Sequence, residues 1–441
     1  MGKRILVAGG GHGGIGAAYM LAKNGYEVTV VEKNSRKNMG YDWTDIFDKK
    51  GFTAIGMDIP PKEMYCLKQD MTFIGPGKTT RLRQNTAPEK LEIQMERRDI
   101  YKYLIENALD AGVKFIFDCE ISAPVLLGSR VVGIETAQGT MYADLVIDAC
   151  GIRSPLRSKL PDYFGVQNEV QPYEQFFVYR AFYNKAAETK EDRFAVELLR
   201  GGKLGISWVA AEEEYTDVLI GRFEAFDLDE VQRSLDDLRS DYPSIGMNKE
   251  RGGQFVRIPV RQPLGVLVAD GYAAIGDAAF MTVPIIGSGI ANSLKAARLL
   301  ADCVMADENG AFTAATLWKY QCDFYANIGA NLAPLACIKL LLTRLEPSDL
   351  DYIFETGILN AQDMTIDADS TSIAAMFAGI TLDDLMIKAG GLLKNADVLK
   401  KIMRLGKEIA AVVAVCASMP KTYEQDKVLR WVKAYNACFK R

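Results

Sequence analysis

The sequence predicts an α/β protein in which a parallel sheet is followed by an inserted antiparallel sheet and a helical C-terminal region. Three observations predict this fold class. Residues 5–33 run from an apolar segment through a glycine cluster and a helical pattern to a second apolar segment. Several runs between 165 and 260 have the length and the turn signals of strands. From about 287 onward the spacing of apolar residues is almost entirely helical.

The composition is that of an ordinary globular protein of 441 residues, 49% apolar and 25% charged. The net charge is −5 without a lysine- or arginine-rich run, which argues against nucleic acid as a partner. The eight cysteines form no C-x-x-C pair, so we expect no metal or iron–sulfur site and a reducing, cytoplasmic compartment. No segment reaches the ~18 continuous apolar residues of a membrane span. The apolar run from Ile409 to Pro420 still leaves peripheral membrane contact open.

The first βαβ unit has the spacing of a site for an adenine dinucleotide. A predicted strand at 5–8, a G-x-G-x-x-G turn, a helix at 15–24 and a strand at 28–31 that ends on Glu32 follow one another. The glycines permit a tight turn and the close approach of a pyrophosphate, and the helix start offers free N–H groups. Glu32 can accept hydrogen bonds from a ribose hydroxyl. The turn consists of Gly9, Gly11, His12, Gly13 and Gly14. At this point both NAD and FAD remain possible.

The segment from 34 to 164 is predicted to begin as a loop-rich excursion and to end in a small antiparallel meander. The excursion covers 34–90, with a short helix near 43–50. In order, the pattern then predicts a strand at 91–95, a helix at 97–111, a strand at 113–117 and three meander strands at 121–127, 131–136 and 141–147.

The segment from 165 to 260 is predicted to form a second sheet, which would serve as a wall for a substrate. The pattern gives strands at 175–183, 194–199, 204–210 and 215–223 and one helix near 228–239. A strand from Gly271 to Ile275 then delivers Asp277 at its carboxyl end, where open α/β sheets bind ligands.

The helix after Asp277 favours FAD over NAD. It begins after Pro284 at Gly287-Ser288-Gly289, whose small residues let a flat ring lie against the backbone. Helix N–H groups aimed at the pyrimidine edge of a flavin would stabilise the negative charge of its reduced form. Asp277 could bind a ribityl hydroxyl.

These motifs resemble the three fingerprints of the FAD-dependent hydroxylase and reductase superfamily. The three are the glycine turn with Glu32, the Asp148-x-x-Gly151 motif, and Gly276-Asp277 with Pro284-x-x-Gly287-x-Gly289. Val131–Ile147 followed by Asp-Ala-Cys-Gly-Ile-Arg-Ser-Pro, the stretch from Gly252 to Pro259 and the Met95-Glu-Arg pattern most resemble its geranylgeranyl reductase-like branch. The resemblance covers roughly residues 1–330.

The resemblance implies a Rossmann-type FAD-binding domain with an inserted antiparallel β substrate domain and a helical C-terminal region. The FAD-binding domain would span 1–164 and 261–325, the substrate domain 165–260 and the helical region 326–441. FAD would be held without a covalent bond. Because no second dinucleotide fingerprint is present, NAD(P)H would bind transiently or a reduced carrier protein would donate electrons. The implied FAD contacts are Gly9, Gly11, His12, Gly13, Gly14, Glu32, Lys33, Arg97, Ile121, Gly151, Gly276, Asp277, Pro284, Gly287, Ser288, Gly289 and Ile290.

The favoured function is the reduction of a carbon–carbon double bond in a small apolar substrate, either prenyl- or lipid-like or polycyclic. Reduced flavin N5 would pass a hydride, and a nearby acid or water would supply the proton. The first alternative is an FAD-dependent monooxygenase that uses NAD(P)H and O2. The second is a non-catalytic prenyl-binding relative of the Rab-escort type, against which the intact Gly276-Asp277 motif argues.

The chain departs from the family pattern at the positions nearest the chemistry. His12, the only histidine, stands where the family usually has proline, and we expect it to shape the backbone or to lie at the surface. Met39-Gly-Tyr-Asp-Trp replaces a Cys-Gly loop, so the catalytic candidates are Asp42, as a proton donor or guide, and Trp43. Ordinary loop roles for both stay open. Trp208 and Met281 are the candidate substrate contacts. The apolar helices at 326–342 and 402–416 are predicted to be core, with an apolar tunnel as the alternative.

Overall fold

The computed structural model describes residues 2–167, 169–188, 192–364 and 381–440. Its strands are β1 (Arg4–Ala8), β2 (Glu27–Val31), β3 (Thr44–Phe47), β4 (Tyr65–Leu67), β5 (Thr72–Ile74), β6 (Arg81–Arg83), β7 (Ile93–Glu96), β8 (Lys114–Ile116), β9 (Ile121–Leu127), β10 (Arg130–Thr136), β11 (Gly139–Tyr142), β12 (Leu145–Asp148), β13 (Gln175–Lys185), β14 (Phe194–Leu198), β15 (Gly205–Ala211), β16 (Tyr215–Arg222), β17 (Ile245–Pro259), β18 (Val268–Ala269) and β19 (Tyr272–Ala274). Its α-helices are α1 (His12–Lys23), α2 (Lys50–Ala54), α3 (Arg97–Asp110), α4 (Leu228–Asp241), α5 (Ile290–Ala306), α6 (Ala314–Phe324), α7 (Ala330–Leu342), α8 (Pro347–Glu355), α9 (Leu382–Leu393), α10 (Ala396–Ala417) and α11 (Gln425–Ala437).

A parallel sheet forms the centre of the first domain, with the order β18-β19-β12-β1-β2-β8. Strand β1 pairs in parallel with both β12 and β2, and β18 is an antiparallel edge. The middle strands are buried on both faces, which explains why they appear in the sequence as continuous apolar runs. The α/β fold class, with a Rossmann-type first domain, is confirmed.

One predicted meander strand divides between two sheets. Gly139–Tyr142 completes the meander β11-β10-β9, whereas Leu145–Asp148 leaves it and joins the parallel sheet. The prediction of a single strand over 141–147 was therefore wrong. The chain changes sheets at Asp144, whose carboxylate accepts a hydrogen bond from the Arg4 amide at 2.8 Å and whose own amide donates to the Arg4 carbonyl.

The second sheet has the order β17-β13-β16-β15-β14-β5-β6. The four strands and the helix predicted for its sequence are present at nearly the predicted bounds. Strand β17 was not predicted. Strands β5 and β6 lie in the segment 34–90, for which the pattern predicted mainly loops. Because β5 pairs in parallel with β14, residues 72–83 extend the edge of this sheet.

The helix predicted near 43–50 was wrong. Thr44–Phe47 is a strand paired antiparallel with β7, and α2 begins only at Lys50. The pairing buries Phe47 completely in the core of the first domain. Tertiary packing thus determines the conformation of a segment too short for its own pattern to decide.

The C-terminal helices differ in burial. Helices α6 and α7 are joined by a π-helical turn at Tyr325–Gly329. The stretch Ala314–Leu342 is apolar and long enough to cross a membrane by length and composition, but 67% of its most apolar window is buried inside the protein. Core packing is therefore confirmed for 326–342. It fails for 402–416, because α10 buries only Val398, Val412 and Cys416.

Candidate active site

The glycine turn between β1 and α1 lies against the end of β12. Gly9 has a φ of +89°, and a Cβ there would lie 2.6 Å from the Ala149 carbonyl oxygen. A Cβ at Gly14 would lie 2.6 Å from the Ala149 Cβ, and one at Gly13 would lie 3.0 Å from the Ile275 side chain. Helix α1 begins at His12, and its N-cap Gly11 has no side chain to cap it. The first N–H groups of α1 are therefore available to an anion.

Glu32 is held at the tip of β2 with only 7% of its surface exposed. Its Oε2 accepts a hydrogen bond from the Gly10 amide at 2.7 Å, and its Oε1 accepts from the Asn34 amide at 2.8 Å. The Cys119 amide donates to the Glu32 carbonyl, which brings Ile121 at the start of β9 to the same edge of the sheet. Lys33 follows with an exposed side chain.

A second uncapped helix start lies at α5. Gly289 is its N-cap and receives no side-chain cap from the described residues. A Cβ at Gly289 would lie 2.7 Å from Thr282 Oγ1, and that hydroxyl donates to Asp277 Oδ1 at 2.8 Å. Burial raises the pKa of the Asp277 carboxyl. The remaining predicted contacts lie in the same turn: Gly276 and Gly287, both with positive φ, Pro284 and Ile290, both buried, and Ser288, which donates to the Ile46 carbonyl at 3.3 Å.

Arg97 lies between the two glycine-rich turns. Its Nε donates to Asp45 Oδ2 at 2.6 Å, and its Cζ lies 4.9 Å from the centre of the Tyr41 ring. Burial lowers the pKa of His12 and raises that of Asp277, and the Arg97 guanidinium acts to lower the pKa of both. The two residues belong to the two turns that are predicted to hold the cofactor, which we together call the cradle. The sequence predicted a helix that begins at Arg97, as observed, but the partner Asp45 could not be found from local spacing.

The Asp148-x-x-Gly151 motif braces the end of β12. Asp148 is fully buried and accepts hydrogen bonds from the Tyr272 hydroxyl at 2.8 Å and the Cys150 amide at 3.0 Å. Burial raises the pKa of the Cys150 thiol, which donates to the Ala8 carbonyl, so this cysteine packs and does not react. Gly151 has a φ of +79° and no described atom within 4 Å of its Cβ position.

Asp42 connects the two domains. Its Oδ2 accepts a hydrogen bond from the Gly252 amide at 3.0 Å, its Oδ1 lies 3.4 Å from Arg251 Nη1, and its amide donates to Gln254 Oε1. Arg251 also makes a bidentate pair with Glu96 at 2.9 and 2.6 Å. Asp42 therefore holds the loop before β3 against β17, and we call this contact a latch.

Trp43 and Trp208 approach each other across the domain boundary, with Arg180 between them. The Arg180 Cζ lies 5.6 Å from the centre of the Trp43 ring and 4.9 Å from that of Trp208. The Nε1 atoms of both indoles are buried and have no hydrogen-bond partner in the described part of the chain. Met281, by contrast, is fully buried, and its sulfur accepts from the Gly276 amide at 3.3 Å, so it supports the turn from beneath.

Sequence reasoning missed Arg180 and its partner Asp217. The Arg180 guanidinium donates to the two Asp217 carboxylate oxygens at 2.9 and 2.7 Å and to the Thr44 carbonyl at 2.5 Å. Both side chains are almost fully buried. The available signal was an arginine flanked by Val178 and Phe182 on the inward-facing side of a predicted strand, where an unpaired charge is costly.

Phe280 supports the loop after Asp277 in an unusual way. Its φ is +57°, and its ring lies between two buried guanidinium groups, 4.5 Å from the Arg157 Cζ and 4.4 Å from the Arg261 Cζ. Arg157 also donates to the Ala278 carbonyl at 2.6 Å, and burial lowers the pKa of both arginines. The two guanidinium groups thus hold the loop after Asp277 in place from the protein interior.

Comparisons with known proteins agree with this geometry. Residues 7–54 match the model of the NAD(P)-binding Rossmann-like domain. The chain is 24% identical over 379 residues to a digeranylgeranylglycerophospholipid reductase of Sulfolobus acidocaldarius, covering 82% of each protein. A crystal structure of a geranylgeranyl bacteriochlorophyll reductase-like protein of Thermoplasma acidophilum shares the fold with a TM-score of 0.73 and 18% identity, over 91% of this chain and 99% of that one.

Both a reductase and a monooxygenase occur among the proteins to which the chain is similar. A flavin-dependent monooxygenase of Phoma sp is 25% identical over 340 residues, covering 69% of this chain and 76% of that protein.

The residues at the two helix starts fit an FAD. The uncapped starts of α1 and α5 offer two sets of N–H groups, and Glu32 lies at the edge where an adenosine ribose would bind. Gly151 faces open space, and His12 Nε2 is buried without a described hydrogen-bond partner. A buried donor or acceptor without a hydrogen-bond partner costs free energy. The unpartnered His12 nitrogen therefore indicates that the site still has a polar group for a ligand to bind.

Proposed function

We propose that this protein is an FAD-dependent reductase that saturates a carbon–carbon double bond of a prenyl- or lipid-like substrate. The observation that carries the proposal is the pair of uncapped helix starts, with Arg97 acting on both turns and lying 5.7 Å from the ring centre of Trp43 in the aromatic wall that also contains Trp208. The names of the archaeal reductase relatives support the same substrate class. When bound, FAD supplies the hydride for the double bond.

The residues of the chain divide the remaining work. Glu32 and the first turn of α1 are proposed to hold the ADP half of FAD. Asp277 and the first turn of α5 are proposed to hold its ribityl chain and flavin ring. The positive end of the α5 dipole favours negative charge at the ring. Trp43, Trp208 and their apolar neighbours exclude water from the reacting face.

An exposed apolar surface on the C-terminal helices supports peripheral membrane contact, which would give access to a lipid substrate. Large apolar side chains on α9 and α10 are between 49% and 77% exposed. They are Leu385, Met386, Ile387, Leu393, Met403 and Val413.

A reductase and a monooxygenase differ in their use of oxygen. Under argon, the flavin of the purified holoprotein is to be reduced with NADH, NADPH or dithionite, and prenyl-lipid alkenes are then added. We expect the alkene to reoxidise the flavin and to be recovered with the double bond saturated. A reduction by NADH or NADPH would identify a transient nicotinamide donor, and a response to dithionite alone would favour a carrier protein. Oxygen uptake coupled to the lipid, with a hydroxylated product, would overturn the reductase proposal in favour of the monooxygenase.

The variant Asp42→Asn distinguishes a structural role of Asp42, as a latch, from a catalytic role as a proton donor. The amide oxygen can still accept the hydrogen bond from Gly252, so a latch predicts less than about a tenfold decrease in the rate at which the alkene reoxidises the flavin. Removal of a general acid costs about 10²–10⁴-fold. We expect the smaller effect, because the carboxylate already binds Gly252 and lies beside Arg251. A loss in the larger range, with unchanged FAD content, would assign the proton to Asp42.

A further inference from the structure

His12 occupies a position in the glycine turn that the fold alone does not explain. It is the only histidine of the chain and the first residue of α1. Its ring stacks on Tyr101, with centroids 4.4 Å apart and an interplanar angle of 23°. Its Nε2 is buried and has no hydrogen-bond partner among the residues described. A residue that only shaped the backbone would not require this arrangement.

The charged and titratable groups around His12 keep the imidazole neutral in the free protein. Burial and the Arg97 guanidinium hold the pKa of His12 well below its usual value. Tyr101 stacks on the imidazole ring, and burial raises the pKa of its hydroxyl, so it carries no charge at neutral pH. The two carboxylates that act on the neighbouring Tyr101 already have partners, since Glu32 binds Gly10 and Asn34 and Asp45 binds Arg97.

We propose that His12 is a proton-linked ligand of the FAD pyrophosphate, which takes up one proton from solvent when the cofactor binds. The inference rests on the proposed flavoprotein function. The pyrophosphate brings two negative charges to the start of α1, where His12 is the first helical residue. An opposite charge at such short range favours the charged imidazole, and the new N–H can donate to a phosphate oxygen. The proline typical of the family could supply neither the charge nor the donor.

Proton uptake makes the affinity for FAD depend on pH. Between the His12 pKa of the free protein and that of the complex, FAD binding tightens as the pH falls, by up to about tenfold per pH unit. The free protein has the opposite dependence. Its folded His12 binds a proton less readily than the unfolded chain, so its stability decreases as the pH falls below about 6.5, the ordinary histidine value.

The single histidine permits a direct test. Tag-free protein labelled with ¹⁵N-histidine gives one imidazole spin system, which is titrated with and without FAD. We expect a midpoint below 6.5 in the free protein and above 6.5 in the complex. A midpoint in the complex that equals or falls below that of the free protein would overturn the inference. Failure to bind FAD at any pH would instead contradict the proposed flavoprotein function.

FAD affinity provides a second readout. By fluorescence quenching, the wild-type protein should bind FAD more tightly at pH 6 than at pH 8, whereas His12→Gln should show no such difference. Tyr101→Phe keeps the stacked ring without its hydroxyl and should retain the wild-type difference. Equal weakening by His12→Gln at both pH values, with the wild-type slope preserved, would mean a structural role only. Loss of the slope in Tyr101→Phe would assign the proton elsewhere and overturn the inference.

Discussion

Gly14→Val is expected to abolish FAD binding and to lower the free energy of unfolding by about 1–3 kcal/mol, the usual cost of overpacking. A Cβ at Gly14 would lie 2.6 Å from the Ala149 Cβ and 2.9 Å from Val7 Cγ1. These neighbours belong to the two central strands and their connections, so they cannot move easily. Helix α1 would have to move away from the sheet, and its uncapped N–H groups would leave the phosphate position.

Gly406→Val is the matched control for Gly14→Val. Gly406 lies on the exposed side of α10, has no positive φ, and has no neighbour among the described residues within 4 Å of its Cβ position apart from its own helix backbone. The same added volume should change neither FAD content nor stability by more than about 0.5 kcal/mol. Flavin absorbance of the purified proteins and denaturant unfolding measure the two effects. A Gly14→Val protein that carries stoichiometric FAD would contradict the assignment of the turn.

The parts of the cradle that the sequence predicted are those whose signals lie close together in the chain. The glycine turn joins the end of β1 at Ala8 to the start of α1 at His12, and the Gly276-Asp277 turn opens the segment that joins the end of β19 at Ala274 to the start of α5 at Ile290. Glycine spacing and apolar runs determine such units locally, so their bounds could be predicted, whereas their contacts with FAD stay a prediction. The same holds for helix α3, whose periodicity places Arg97 at its first residue.

The parts that were missed depend on pairing between distant segments. The hydrogen bond between Asp42 and Gly252 was not predicted, because the two residues lie 210 positions apart in the chain. Strand β17 was not predicted, since Gly252 and Gly253 interrupt it with positive φ values and shift its register against β13. Residues 72–83 become strands only because β14 supplies the neighbouring edge. Local patterns contain none of this information, which lies in the tertiary contacts.

Asp217→Leu is expected to lower the free energy of unfolding by about 3–5 kcal/mol, the cost of leaving a buried charge without its partner. Arg180 would keep its hydrogen bonds to Thr44 but would lose both bonds to the carboxylate. Its guanidinium lies between Trp43 and Trp208, so the disturbance would reach the aromatic wall of the proposed substrate site. FAD content should change little in protein that remains folded, because no predicted FAD contact belongs to this pair.

The double variant Arg180→Met with Asp217→Leu tests whether the pair stabilises the fold or only avoids an unpaired charge. Replacing both partners by apolar residues removes the desolvation penalty, so most of the lost stability should return. Lys114→Met is the surface control, since its pair with Glu27 is more than half exposed and should contribute at most about 1 kcal/mol. If Asp217→Leu cost no more than Lys114→Met, the pair would not organise the site. Full stability of the double variant with weakened discrimination among alkenes would show that Arg180 positions the two tryptophans for substrate.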